Sequence, residues 1–146
     1  MFKNILLGTD GSPASEHAAT MAVSLARTYG AKLTVLYVVD PYPYLGVGET
    51  NPMGFQAYMA TAHQHAAQAH AKVNALCMAA DPKIQVEARL AEDVTATHGI
   101  IDMAKQEGAD LIVVGSHGRT GVARLMLGSV ASQVVAHSTL PVLVVR

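Results

Sequence analysis

The sequence has a single cysteine, Cys77, and little charge: 14% of its 146 residues are Asp, Glu, Lys or Arg, and the formal net charge is −1. One thiol excludes an internal disulfide and fits a reducing compartment. Cys77 falls in an alanine-rich helical pattern, where it reads as a small buried hydrophobe. A net charge this close to zero sets up no global field that would draw nucleic acid or an anionic membrane. No apolar run approaches the roughly 20 residues that a membrane span needs. The chain opens straight into a strand pattern, with no charged-then-apolar leader. The expectation is a cytoplasmic protein with no membrane span and no nucleic-acid partner. Signatures of chemistry are missing too. H-E-x-x-H, C-x-x-C and G-x-S-x-G do not occur, and nothing forms a nucleophile–base pair at recognisable spacing. Neither a catalytic residue nor a metal-ligand set is therefore expected.

What is present is apolar residues in quantity, 51% of the chain, which is enough core for one compact domain over residues 1–146. Phe2 to Thr9 reads as a first strand, broken at Thr9-Asp10-Gly11. Ser12-Pro13 starts a helix, with serine placed to cap and proline preset for the first turn. Ala18, Met21, Ala22, Leu25 and Tyr29 recur at helical spacing, and Gly30 closes the helix. Lys32 to Val39 is a second strand. From Asp40 to Gly54, the residues Pro41, Pro43, Gly46, Gly48, Pro52 and Gly54 argue against any regular element. Tyr42 and Tyr44 in that loop either shield a ligand or pack the loop onto the body.

Helix returns over Phe55 to Ala80, with Phe55, Met59, Ala62, Ala66, Ala69, Val73 and Leu76 forming one apolar stripe. Three histidines flank it: His63, His65 and His70. None stands four residues from another, so they make no two-histidine metal site, and a solvated or half-buried flank is expected. Ile84, Val86, Ala88 and Leu90 alternate with polar residues, which predicts a third strand at or near a sheet edge. A third helix runs from about Val94 to Glu107, weakened by Gly99 and closed by Gly108. Leu140-Pro141 introduces a short last strand, Val142 to Val145. Strands alternating with helices make an α/β fold, a doubly wound parallel sheet with helices on both faces.

The stretch Leu111 to Val130, LIVVGSHGRTGVARLMLGSV, organises the rest. Leu111 to Val114 is a strand buried on both faces, stopping at Gly115. Gly118, Gly121 and Gly128 follow, with Arg119 and Arg124 between them, and Ser129 opens a helix ending near His137. A strand, a glycine-rich loop and a helix start make a place for an anion. Glycine lets the backbone come close and take left-handed angles, and the first helical turn offers free N–H groups. A Walker A loop is excluded because no lysine follows Lys105, and the G-x-G-x-x-G spacing is absent. The bland alternative is a long loop that uses glycine for turning.

Gly115, two residues, Gly118, nine residues, then Gly128-Ser129 resembles the nucleotide-binding motif of the universal stress protein family, in its ATP-binding branch. The resemblance extends to KNILLGTDGS (Lys3 to Ser12), YVVD (Tyr37 to Asp40), ADLIVVGSHG (Ala109 to Gly118) and PVLVVR (Pro141 to Arg146). It implies a five-stranded sheet of order 3-2-1-4-5, like that of the adenine-nucleotide α-hydrolases. In that order the first and fourth strands lie side by side, and a crevice opens at their carboxyl ends. It also implies that Thr9, Asp10 and Gly11 line the nucleoside end and that Val38 packs on adenine.

By chemistry alone, Asp10 either accepts hydrogen bonds from a nucleoside or caps the next helix, and Val38 is simply core. Gly115, Gly118, Gly128, Ser129, Val130 and Ala131 would meet phosphate, although Ser129 can instead cap its own helix. Arg119 and Arg124 neutralise a triphosphate or sit solvated on the rim. His117 touches ribose or phosphate, or is a bystander. The implied cofactor is ATP, with or without a divalent cation such as Mg or Mn. The implied role is regulatory, with slow or no hydrolysis. Two alternatives are an enzyme of a related adenine-nucleotide fold that cleaves the α–β phosphate bond and a nucleotide-free dimeric scaffold. The resemblance further implies a homodimer joined through Val142 to Val145, which Leu143→Lys or Val145→Lys is expected to weaken.

Overall fold

The computed structural model describes residues 1–42, 52–118 and 126–146. Chain order is β1 (Asn4–Gly8), α1 (Pro13–Tyr29), β2 (Lys32–Val38), α2 (Pro52–Ala79), β3 (Val86–Ala91), α3 (Ala96–Gln106), β4 (Leu111–Gly115), α4 (Ser129–His137) and β5 (Val142–Val145). The strands form one parallel sheet of order β3-β2-β1-β4-β5. α1 and α2 cover one face, over Ile5, Leu7, Leu33, Val35, Leu111 and Val113. α3 and α4 cover the other, over Leu6, Leu36, Ile112 and Val114. Consecutive residues of each strand thus enter opposite cores, which is why the inner strands read as unbroken apolar runs.

Local signals set the first helix. Ser12 Oγ accepts the Ser15 N–H at 3.3 Å, Pro13 occupies the first helical position, and Gly30 ends α1 at φ 63°. Its buried face, however, is Ser15, Ala18, Ala19, Ala22, Val23 and Ala26. Met21 and Tyr29, assigned to that face by spacing, are 43% and 41% exposed. Small side chains let α1 lie close to the sheet, and the larger ones are left at the flank.

In α2 the stripe holds in its middle, at Ala66, Ala69 and Val73, and continues through Cys77, which is fully buried as expected. Phe55 and Leu76 are largely exposed. Helix also begins earlier than the prolines and glycines suggested: Pro52 to Gly54 belong to α2, because proline is tolerated in a first turn. Residues 43–51, including Tyr44, lie outside the described residues. Tyr42 packs edge-on against Phe55 and Tyr58 at ring separations of 5.6 and 5.3 Å, and Tyr58 donates to the Asp40 carbonyl at 2.8 Å. That ties the exit from β2 to the first turns of α2.

β3 is an edge strand, as its polar alternation indicated, but Leu90 is exposed and Ile84 is buried just outside the strand. At the opposite edge, Val145 is 9% exposed and belongs to the core under α1, and Leu143 packs against the same cluster. Lysine at either position would therefore strike the core. A strand's side chains stand off its two faces, and only its backbone forms the edge.

Candidate functional site

A cleft of about 390 Å³ opens where β1, β2 and β4 end, at the point where the chain winds away to both sides of the sheet. From the β1 side come Gly8, Thr9, Asp10 and Ser15; from β2, Leu36 to Val38 and Asp40; from β4, Val114 to Gly118; from the start of α4, Gly128 to Ala131. The parallel register aligns these ends, with Gly8 beside Leu36 and Leu7 beside Val113.

The β1 turn is held by its own side chains. Asp10 Oδ1 accepts the Ser12 N–H at 2.9 Å, while Thr9 Oγ1 accepts from Gly11 N–H and donates to Ser15 Oγ, both at 3.1 Å. Helix capping falls to Ser12, so the carboxylate of Asp10 serves the turn before the helix. Its Oδ2 reaches the opposite loop: a β-carbon built on Gly118 would lie 3.0 Å from it. Residues more than a hundred positions apart in sequence meet here, so closely that a β-carbon at Gly118 would push the carboxylate back by a few tenths of an ångström.

Across the cleft, Gly128 is the N-cap of α4, at φ −60° and ψ 159°, with no side-chain hydrogen bond to the first turn. Ser129 is therefore the first helical residue and not the cap. The first intrahelical bond is Ser132 N–H to Gly128 carbonyl at 3.0 Å. The N–H groups of Ser129, Val130 and Ala131 precede it, at the positive end of the helix, in a wall of the cleft. No lysine or arginine is among the described lining residues. An anion seated here would draw on backbone N–H groups.

The base of the glycine-rich loop is pinched shut. Gly128 N–H donates to the Ser116 carbonyl at 2.7 Å, and Ser116 N–H donates to the Val145 carbonyl at 2.7 Å. His117 spans the same gap: Nε2 lies 2.6 Å from the Met126 carbonyl and Nδ1 lies 2.9 Å from Ser116 Oγ. A carbonyl only accepts, so Nε2 carries a proton and donates, and in the neutral ring Nδ1 accepts a hydrogen bond from the Ser116 hydroxyl. His117 is thus a strut in the loop as well as a lining residue.

Ten of the expected positions line this cleft: Thr9, Asp10, Val38, Gly115, His117, Gly118, Gly128, Ser129, Val130 and Ala131. Gly11 does not. At φ 74° it turns the chain toward a second groove between α1 and α2, where its β-carbon would meet Ala69 Cβ at 3.2 Å. Arg119 and Arg124 lie outside the described residues. The expected left-handed angles are not found at Gly115, Gly118 or Gly128; among described glycines only Gly11, Gly30 and Gly108 have positive φ. Close approach is what the cleft glycines supply: a β-carbon at Gly128 would stand 3.0 Å from the Ser116 carbonyl oxygen.

Nine lining residues were not foreseen as site positions: Gly8, Ser15, Leu36, Tyr37, Asp40, Val114, Ser116, Ala96 and Ile100. The last two belong to the start of α3. In a parallel sheet each helix begins at the carboxyl end of the strand before it. Thr95, whose Oγ1 caps α3, was the readable signal.

The α2 histidines stand apart from the cleft. His63 pairs with Glu92 at 2.5 Å. His70 has its Nε2 buried with no hydrogen-bond partner among the described residues, and burial lowers its pKa despite backbone groups of Arg89 and Val35 that favour the charged ring. Among the described residues no three His, Cys, Asp or Glu side chains gather as a metal cage, and no helix is long and apolar enough to cross a membrane.

The profile of the universal stress protein family matches residues 1–146. The chain belongs to that family. A universal stress protein of Methanocaldococcus jannaschii is 34% identical over all of this chain and 83% of its own length. The solved structure of the universal stress protein UspA from Lactobacillus plantarum aligns with a TM-score of 0.87 at 32% identity, covering 99% of this chain and 97% of that one. A universal stress protein solved in complex with cAMP aligns with a TM-score of 0.69 at 26% identity, over 99% of this chain and 97% of that one. The family relationship and its bound relative together support a nucleotide-binding stress protein. The sheet has the order of the adenine-nucleotide α-hydrolase-like fold.

Proposed function

We propose that this universal stress protein binds ATP in the cleft and acts as a cytoplasmic regulatory protein with slow or no hydrolysis, folded as one domain and assembled as a homodimer. The observation that carries the reading is the uncapped first turn of α4, whose three leading N–H groups stand in a wall of the cleft. A polyanion is the ligand that such a turn favours. Val38, Ala96 and Ile100 supply the apolar surface for a base, and Asp10 an acceptor for nucleoside hydroxyl or amino groups. The relative in complex with cAMP supports an adenine nucleotide.

A divalent cation fits only on limited terms. No described cage exists for it, so Mg or Mn would arrive with the triphosphate and keep phosphate oxygens and water as most of its ligands, with Asp10 and Asp40 the carboxylates among the described lining residues. Such an ion would offset phosphate charge in a cleft whose described walls hold carboxylates and no ammonium or guanidinium.

Mass spectrometry of small molecules released from freshly purified protein is expected to detect ATP, and calorimetry to give saturable binding. A protein that releases no nucleotide and gives no heat with ATP would overturn the reading and favour the scaffold. Turnover, followed as phosphate release, is expected far below the typical enzyme value of about 10 per second. Ordinary turnover would favour the α–β cleaving enzyme instead. Asp10→Ala removes nucleoside contacts, so it is expected to weaken ATP and adenosine alike, by about tenfold for a hydrogen-bonded charged group. Asp10→Asn keeps an acceptor for the Ser12 N–H and separates that loss from any loosening of the turn. Equal wild-type and Asp10→Ala affinities would remove Asp10 from the site.

A further inference from the structure

At the nucleoside end, Val38 of β2 faces the first turns of α3. Gly99 is the fourth residue of α3, its N–H already bonded to the Thr95 carbonyl at 2.8 Å, and glycine inside a helix costs about 0.8–1.0 kcal/mol of propensity relative to alanine. Its surroundings show what that cost offsets. A β-carbon built on Gly99 would lie 2.9 Å from Val38 Cγ2, 3.3 Å from Val38 Cγ1 and 3.3 Å from Val94 Cγ1. The first of these is shorter than β-carbons adopt, so Val38 would have to move. Its backbone is fixed by pairing with Ala91 and by the Val39 N–H to Ala91 carbonyl bond of 2.8 Å. Its β-branched side chain has few rotamers to choose from. Packed core lies on its protein side, and the free volume beside it is the cleft. Gly8 does the same for Ile100, whose Cδ1 would lie 3.0 Å from a β-carbon there. Two glycines thus let the apolar walls of this end lie back.

We propose that Gly99 is a specificity-determining residue of the cleft: by leaving Val38 room against α3, it keeps the nucleoside end wide enough for the two-ring base of a purine nucleoside. The proposal rests on the nucleotide reading and deepens it. Gly99 acts through Val38, so its effect belongs to the base and not to the phosphates.

Four proteins test this: wild type, Gly99→Ala, Val38→Ala and the double variant, each titrated calorimetrically with adenosine, cytidine and inorganic tripolyphosphate. Gly99→Ala is expected to lose at least about fivefold in adenosine affinity and to narrow the preference for adenosine over cytidine, while tripolyphosphate changes less than about twofold. Val38→Ala should then change sign with background. Alone it removes a wall contact and weakens adenosine binding; added to Gly99→Ala it relieves the overlap and strengthens binding. A merely structural glycine would not produce that inversion. Adenosine bound equally by wild type and Gly99→Ala would overturn the proposal, as would Val38→Ala weakening binding in both backgrounds. Should Gly99→Ala not fold, Val38→Leu narrows the same end with Gly99 intact, and unchanged adenosine affinity there overturns it equally. Wild-type protein that binds tripolyphosphate but not adenosine defeats this proposal alone; protein that binds neither defeats the nucleotide reading and this proposal with it.

Discussion

Gly128→Ala is expected to lower ATP affinity at least about tenfold, or 1.4 kcal/mol, while leaving adenosine affinity within about twofold. The backbone at Gly128 has ordinary angles, so alanine is not strained there by φ. The loss comes from contact. The new β-carbon stands 3.0 Å from the Ser116 carbonyl oxygen and 3.4 Å from His117 Cα, so the loop base and the start of α4 must separate by a few tenths of an ångström. That movement lengthens the 2.7 Å Gly128–Ser116 bond and shifts the N–H groups that would hold phosphate. Alanine is also a poorer N-cap than glycine, which adds to the cost. Adenosine has no phosphates to place there and so reports on the rest of the cleft. Gly128→Val should act in the same direction, with added loss of stability from its two further methyl groups. Calorimetric titration with both ligands, alongside thermal melting, checks the pattern. A folded Gly128→Ala protein that binds ATP like wild type would show that phosphate sits elsewhere.

Two substitutions on adjacent residues of β5 should give opposite outcomes. Val145→Lys is expected to destabilise the fold by about 2–4 kcal/mol, as an ammonium is pushed into an apolar layer. Val145 packs in the α1 core, pairs with Gly115, and holds Ser116 N–H with its carbonyl. Urea unfolding reads the loss, and a midpoint equal to wild type would contradict the packing. Val144→Pro addresses assembly. The carbonyls of Pro141 and Val145 accept from Ile112 and Ser116 of the β4 segment, so alternation turns the backbone groups of Val142 and Val144 to the open edge. Proline at Val144 removes an outward donor without breaking the β4 ladder, and edge strands tolerate it. The proposed dimer should then sediment as a folded monomer at micromolar concentration. Wild type that is already monomeric, or Val144→Pro that stays dimeric, would count against pairing through this edge.

What was legible in the sequence was local. Ser12, Pro13 and Gly30 mark the ends of α1 because a cap is satisfied within a few residues of itself. Leu111 to Val114 declares a doubly buried strand because both faces need apolar side chains. Long-range packing was harder to see. Met21 suits the α1 stripe by spacing, yet the closeness of helix to sheet favours alanines and leaves methionine outside. Gly99 reads as a weakness in α3 until Val38, brought up by the β2–β3–α3 arrangement, is found against it. The cleft glycines were recognised by position but for half of the right reason, since their ordinary angles leave near-contact with backbone and with Asp10 as the cause. The meeting of Asp10 and Gly118 depends on strand order, which periodicity does not encode and the family resemblance implied.

The clamp between Ser116 and Gly128 also bears on how this protein can diversify. Its two hydrogen-bonded ends belong to the strand exit and the helix entrance, so the chain leaving Ser116 and the chain entering Gly128 are held together by backbone groups alone. Closing a flexible segment costs only about 0.6 kcal/mol more for each doubling of its length. An insertion placed after Gly118 and before Met126 is therefore expected to cost little stability while the entrance of α4 stays where it is. For an engineer, the same clamp marks a graft point: a foreign peptide set between Gly118 and Met126 would be tethered at two fixed ends without being asked to fold the domain.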